Sequence, residues 1–355
     1  MKKKYVDILL IAVAVLLNAC SSDDSGAQTD SMDHASTGKT VQLVSYISPL
    51  VEKELSHRAA PSGFSEYTPD KATSMGIYML LTEDWASPKE EIIRYNTTTD
   101  KWNASFEVEA GKPYSVYGYM PKAGGVNSSL TVTSDVDTLL SITGIKPVTT
   151  DDICIITGVK ETDEGLKEGL LSWKWPISSE DENYKIHILM DHIYAGVQFR
   201  MTIDSEYAKL RTIKLKKMEL NTNKESVNAA IALTHNTTGT SPISSITYTA
   251  SGSSSTSDIY KNDEGTALPT TTAIPLSVNA YFAPELSSSL TLVSTYDVYD
   301  RKGNLIRQNR TATNKLPDLS AVRGQRVQLN MTVNPTYLYI LSDPDLDNPT
   351  ITIDN

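Results

Sequence analysis

The sequence predicts an all-β protein of two β-sandwiches in series, and three observations lead there. Apolar and polar residues alternate in short runs separated by turn residues, the pattern of half-buried strands. No convincing 3.6-residue period lasts longer than two turns in the first half of the mature chain. The composition favours strands, with 18 tyrosines against 4 phenylalanines and many Thr, Val and Ile residues. A chain of 355 residues is long enough for two cores of ordinary size.

The first twenty residues set the compartment. Lys2, Lys3 and Lys4 precede an unbroken apolar run from Ile8 to Leu17, too short to cross a hydrocarbon core of about 30 Å as a helix. Leu17-Asn18-Ala19-Cys20 follows and resembles the lipobox of bacterial lipoproteins, in which the cysteine is acylated and becomes the new N-terminus. The expectation is an exported chain tethered by lipid at Cys20, with residues 1–19 removed. Only Cys154 then remains, so no intramolecular disulfide is available and packed sheet must supply the stability. The whole chain has a net charge of −11. Loss of three lysines and Asp7 with residues 1–19 makes the exported part more acidic still, which excludes a nucleic-acid partner.

Ser21 to Lys39 holds almost nothing that can be buried and reads as a tether. Its Asp23-Asp24 pair is similar to the signal that sends Bacteroidota lipoproteins to the outer face of the outer membrane. Thr40–Ile47 reads as a strand, with Val41, Leu43 and Ile47 on one face and Val44 and Tyr46 on the other. A polar stretch from Glu52 to Lys71 follows, and Arg58 in its middle is where a trypsin-like protease would cut a flexible loop.

Strands are then expected at Met75–Leu81, Ile92–Tyr95, Lys101–Val108, Tyr114–Met120, Leu130–Thr133 and Ile153–Val159. Ser172–Pro176 and the acidic run after it mark a crossing into a second domain. Tyr184–Met190 alternates, a bulge at Asp191-His192 resets the register, and Ala195 to Ile203 alternates again. Thr212–Leu220 is another strand, and Asn236–Ser257 is expected to be a long loop with one short strand at Ile246–Thr249. Leu290–Tyr299 and Leu305–Arg310 flank a hairpin turn at Asp300–Asn304. Arg326–Val333 precedes two short strand-like runs joined by an Asp/Pro turn.

Catalytic and metal-binding motifs are not apparent. No phosphate-binding glycine loop, GxSxG elbow or HExxH occurs. His187 and His192 fall on opposite faces of a regular strand, so a shared zinc is not expected, and His192 is assigned to a core or turn role. Cys154 reads as an inert buried thiol. Asp343, Asp345 and Asp347 open like a calcium loop, but Asn348 stands where glycine is required and Asp354 where glutamate is. Trp173 and Trp175 share a strand face and suit packing between sandwiches, or stacking on sugar rings. No enzyme activity, metal or cofactor is expected.

The order of these features resembles the fimbrillin family of Bacteroidota, lipoprotein-derived pilins. The resemblance rests on the lipobox at Cys20, Arg58 ahead of the mature domain, and MDHIYAGVQFRMTI at Met190–Ile203. It rests also on LSAVRGQRVQLNMTV at Leu319–Val333 and on the PTYLYILSDPDLDNP ending. It implies transthyretin-like sandwiches at 59–180 and 181–355, after a signal peptide (1–19) and a lipidated propeptide (20–58). It also implies cleavage at Arg58–Ala59 by an arginine-specific surface protease and loss of the strand bearing Val41, Leu43 and Ile47. The groove so opened would accept a C-terminal tail, Thr336–Ile353, from another fimbrial subunit, with Tyr337, Tyr339, Leu341, Ile351 and Ile353 as its apolar contacts. The implied location is the outer membrane surface and then a fimbria, and the implied role is adhesion to a host or bacterial surface ligand. The alternative function is a monomeric surface lipoprotein that binds glycans.

Overall fold

A computed structural model describes residues 39–53, 63–85, 87–103, 107–109, 111–134, 136–174, 184–235, 239–335 and 344–353. Cys20, Arg58, Ala59, Tyr337, Tyr339 and Leu341 lie outside them, as do His34, His57, Trp175 and Asp343. The chain begins with β1 (Lys39–Ile47), β2 (Val51–Glu52), β3 (Ser65–Glu66), β4 (Ser74–Leu81), β5 (Lys89–Asn96), β6 (Lys101–Asn103), β7 (Glu107–Val108) and β8 (Pro113–Met120). It continues with β9 (Asn127–Val132), β10 (Asp137–Ile145), β11 (Val148–Thr149), β12 (Cys154–Lys160), β13 (Ser172–Lys174), β14 (Tyr184–His192), β15 (Ala195–Ile203) and β16 (Arg211–Thr222). The last strands are β17 (Ser226–Thr234), β18 (Ile243–Ser251), β19 (Ser255–Ala267), β20 (Leu276–Phe282), β21 (Thr291–Asp300), β22 (Leu305–Lys315), β23 (Gln325–Pro335) and β24 (Pro344–Ile353). Among the described residues, helix is limited to two single 3-10 turns, Tyr207–Lys209 and Pro284–Leu286. The chain is therefore all-β.

Four sheets form two layered pairs. The first sheet runs β3-β1-β14-β12-β8-β4-β5-β6, with β13 on β8 and β7 on β1; its partner runs β18-β17-β10-β9. Tyr78 and Tyr119 of the first sheet both donate to Ser128 Oγ of the second at 2.9 Å, and the Tyr117 hydroxyl meets His235. The third sheet runs β11-β20-β15-β23-β2 with β24 on β23, and the fourth β19-β16-β21-β22. Ser257 Oγ on β19 donates to the Val148 carbonyl on β11 at 2.9 Å, and Asn314 on β22 to the Leu346 carbonyl on β24 at 3.4 Å. Buried aliphatic and aromatic side chains from all four sheets make one continuous core.

Sheet membership does not divide at residue 180. β14 belongs to the first sheet, and β17 and β18 join β9 and β10 in the second. The expected bulge at Asp191-His192 is a change of sheet. Both residues stay in β14, and Ile193-Tyr194 carry the chain from the first sheet into β15 of the third. The irregularity lies on the neighbouring strand, between Ile156 and Gly158 of β12, facing Met190 and Leu189.

Two other expectations are corrected. The Asn236–Ser257 loop is largely strand: the expected short strand Ile246–Thr249 lies within β18, and β18 and the start of β19 are edge strands rich in exposed or half-exposed Ser and Thr, so burial leaves only a faint alternation. The Asp/Pro turn near the C-terminus is strand from Pro344 onward: Pro344 and Asp345 pair with Pro335 and Asn334, and a register shift takes up Leu346 to Pro349 before Thr350 pairs with Thr332. The hairpin at Asp300–Asn304 forms as expected. Asp300 Oδ1 accepts from the Lys302 and Asn304 amides at 2.8 Å, and Gly303 takes φ of 83°.

Candidate functional site

β1 lies between the expected lipid site and the expected cleavage site, and it is built into the first sheet. Val41 to Ile47 pair in parallel with Tyr184 to Met190 of β14. Val41 is 0% and Leu43 5% exposed, and half-buried Ile47 packs on the same core, as their spacing predicts. Tyr46, on the other face, stacks on His187 of β14 with ring centroids 5.8 Å apart. Burial lowers the His187 pKa, so this stack is uncharged at neutral pH.

The far side of β1 is only partly covered. Two residues pair with β3 and two with β7, and otherwise side chains bridge the space to β6. Ser45 is the hub: its hydroxyl donates to the Tyr67 carbonyl and accepts from Trp102 Nε1, both at 3.0 Å. A cavity of about 400 Å³ lined by Leu43, Ser45, Tyr67, Tyr95 and Trp102 runs alongside. β1 thus covers the β14 edge through one full backbone ladder, while its other edge is thinly tied.

The segment after β1 crosses to the third sheet. The Ser48 amide donates to the Met190 carbonyl at 3.0 Å, and the Val51 and Lys53 amides donate to the Gly324 and Arg326 carbonyls at 2.9 and 3.0 Å. Arg326 Nε donates to Glu52 Oε1 at 2.7 Å. β2 therefore occupies the Gln325–Arg326 part of the β23 edge, and β24 occupies Leu329 to Pro335. Because β15 fills the opposite edge of β23, β2 and β24 lie one after the other on the same edge. Ile351 and Ile353 pack half-buried on the core of their own chain, and Leu346 is buried.

A polar cluster sits where β1 ends. His192 Nδ1 is 2.5 Å from Asp152 Oδ2 and 3.6 Å from Cys154 Sγ, and His192 Nε2 is 2.5 Å from the Ser48 carbonyl oxygen. Cys154 and His192 are register partners on β12 and β14. Burial pushes the Cys154 thiol well above its ordinary pKa, and Asp152 and Asp191 add to that. Burial also opposes charge on His192, but the hydrogen bond and charge of Asp152 outweigh it and raise the imidazole's pKa. A nucleophile, base and orienting carboxylate use opposite ring nitrogens; here thiol and carboxylate share Nδ1, so the trio cannot relay a proton from Cys154 to Asp152. The neighbouring cavity, about 570 Å³, is lined by Ser48, Tyr67, Asp152, His192, Tyr281 and Arg326.

His192 thus has the buried role expected of it, but its partners are not readable from the sequence. Asp152 and Cys154 lie two residues apart, which hints at a shared face; the β12–β14 pairing that brings His192 opposite them has no local signal. Trp173, half-buried on β13, packs against the core.

No protein-family model matches the chain, and no curated protein matches it in sequence. In structure the chain is similar to a candidate cell adhesion protein from Bacteroides fragilis, with a TM-score of 0.42, 10% identity, and coverage of 90% of this chain and 97% of that one. It is similar to a fimbrial protein from Bacteroides vulgatus (TM-score 0.36, 11% identity, 89% and 99% covered). It is also similar to the fimbrial anchor protein Mfa2 from Porphyromonas gingivalis (TM-score 0.30, 9% identity, 88% and 97% covered).

Proposed function

We propose that this chain is the precursor of a cell-surface fimbrial subunit, exported as a lipoprotein and activated by cleavage after Arg58. The observation that carries this reading is the position of β1. It follows the lipid tether, precedes Arg58, and is the strand that covers β14 through seven parallel register pairs from Val41 to Ile47. Cutting at Arg58 would separate β1 and β2 from the rest of the chain. Their loss would bare the β14 backbone and the apolar seats of Val41 and Leu43, an edge that invites a strand from another subunit.

The proposed donor is the C-terminal segment, Thr336–Ile353. Its β24 part is docked on β23 of the same chain, so donation requires it to leave that edge first. Removal of β2 would empty the adjoining stretch of the same edge. In this scheme the uncut chain is doubly closed, with its acceptor filled and its donor docked. The glycan-binding alternative is less favoured. Trp173, which could have stacked on sugar rings, packs against the core, and much of the Asn236–Ser257 segment expected as a loop is strand.

The test is to treat the exported chain with an arginine-specific protease and follow size by light scattering and electron microscopy. The expected result is a new N-terminus at Ala59, release of the segment bearing β1, and a ladder of polymers; Arg58→Ala should stay monomeric. A cut chain that keeps β1 bound and remains monomeric would overturn the proposal.

A further inference from the structure

We propose that Asp152, Cys154 and His192 form a binding site for zinc(II), with a carboxylate, a thiolate and an imidazole as ligands and a water from the adjoining cavity as the fourth. This departs from the expectation of no metal site, and it does not depend on strand exchange.

The backbone sets up the donor face. Cys154 and His192 are directly opposed on neighbouring antiparallel strands, and Asp152 precedes Cys154 by two residues. One donor atom from each of the three lies within 4.8 Å of the others. The 3.6 Å between Sγ and Nδ1 already suits the metal. Bonds of about 2.3 Å to sulfur and about 2.0 Å to nitrogen, at a tetrahedral angle, span about 3.5 Å. The Asp152–His192 separation of 2.5 Å must open to about 3.3 Å. Asp152 can supply that, because it lies outside any strand, just before β12.

Three further observations point to a cation. His192 Nε2–H donates to the Ser48 carbonyl, which turns Nδ1 toward Asp152 and Cys154, where a metal would replace the proton that Nδ1 shares with Asp152. Ligating imidazoles are characteristically held this way, by a carbonyl or carboxylate on the nitrogen that does not bind the metal. Asp152 Oδ1 is buried with no hydrogen-bond partner, so the carboxylate retains unused capacity. The nearby cations are engaged elsewhere: Arg323 with Asp191, Lys71 with Asp151 and Arg326 with Glu52. The cavity beside Asp152 and His192 offers an entry path and room for water. A thiolate and an imidazole select a borderline-soft ion over calcium or magnesium. On binding, the Cys154 thiol and the Nδ1–H that His192 shares with Asp152 both give up protons to solvent, so the site forms with release of up to two protons.

The test uses the exported chain with residues 20–58 retained, titrated with zinc(II) and with cobalt(II) as a spectroscopic probe. We expect one equivalent of cobalt to bind, giving a near-ultraviolet thiolate-to-metal charge-transfer band and visible bands of tetrahedral intensity, all displaced by zinc. Cys154→Ser should abolish the charge-transfer band and weaken zinc at least about tenfold. Should Cys154→Ser fail to fold, Asp152→Asn, at the mouth of the cavity, should keep the band and lose affinity. Cobalt that stays in its octahedral aqua form with the native chain would overturn the proposal. So would a charge-transfer band that survives in folded Cys154→Ser.

Discussion

Trp102 donates its indole N–H to Ser45 Oγ at 3.0 Å, and both side chains are buried, Ser45 at 1% exposure and Trp102 at 6%. Ser45 is on β1 and Trp102 on β6, six strands apart in the order of the first sheet. The bond therefore ties the far edge of β1 to an element with which it shares no backbone ladder.

Ser45→Ala should break that tie. It leaves the Trp102 N–H and the Tyr67 carbonyl without their hydroxyl partner, and an unsatisfied buried group costs about 1–3 kcal/mol. The expected result is a lower urea midpoint with unchanged slope. After cleavage at Arg58, the segment carrying β1 should also dissociate faster than in the native chain, as read by mass spectrometry of the released peptide. An unchanged midpoint would mean that water replaces the hydroxyl and the tie is weak.

Acid should destabilise the fold through His235. Its ring lies against Tyr117, Thr138 and Trp85, and burial lowers its pKa, with Asp137 opposing. The unfolded chain then binds more protons than the folded one as pH falls, so the stabilising term is complete above the unfolded histidine pKa of about 6.5. It is lost progressively below that value. His187 shifts in the same direction. Melting temperature should fall between pH 7 and pH 5, and His235→Gln should flatten part of that fall. His192 shifts the other way and opposes this fall, so the assignment is read from the difference between the native and His235→Gln profiles, and two parallel profiles would refute it.

Much of the fold was legible because burial leaves a period. β15 and β23 place one apolar face in the core and alternate, while β4, β8 and β12 are buried on both faces and run largely apolar. β18 was legible only at Ile246–Thr249 and β19 not at all, because an edge strand with half-exposed Ser and Thr has little such contrast. β10 and β17 escaped notice for a different reason: they pair with each other across some ninety residues, as Leu140↔Ile231 and Ser141↔Ala230 do, and their short side chains give weak runs. The strand at β1 was legible from Val41 and Leu43. Its parallel partner β14 and its tie to Trp102 were not, because register between distant strands is a property of the assembled core. The Asp152–Cys154–His192 cluster was hidden by the same gap.

The ion pair between Arg323 and Asp191, 2.6 Å apart, joins the loop before β23 to the end of β14. Arg323 also donates to the His192 carbonyl at 3.2 Å. The two side chains are 19% and 7% exposed, so Arg323→Met should strand a largely buried carboxylate and cost about 3 kcal/mol. Adding Asp191→Asn should return most of that loss, because the amide no longer needs a cation. Chemical denaturation of the two single variants and the double variant gives the coupling. Additive losses would mean that the pair is solvated in solution.

The tail gives a sharper test of the assembly scheme. β24 lies antiparallel on β23, with Leu346 buried and Ile351 and Ile353 half-buried, and the register runs from Leu329↔Ile353 to Pro335↔Pro344. Removing residues 336–355 strips that cover from the β23 edge. In the uncut chain, amide exchange should rise along β23, while β1 and β14 keep their native protection because their ladder does not involve the tail. After cleavage at Arg58, the truncated chain should lose β1 as readily as the native chain does. It should nevertheless remain monomeric, because the acceptor is open and no donor is left. Mixed with cut full-length chains it should cap polymers, shortening them as its proportion rises. Truncated chains that polymerise as well as the native ones would remove the tail from the mechanism and leave β14 pairing with some other strand.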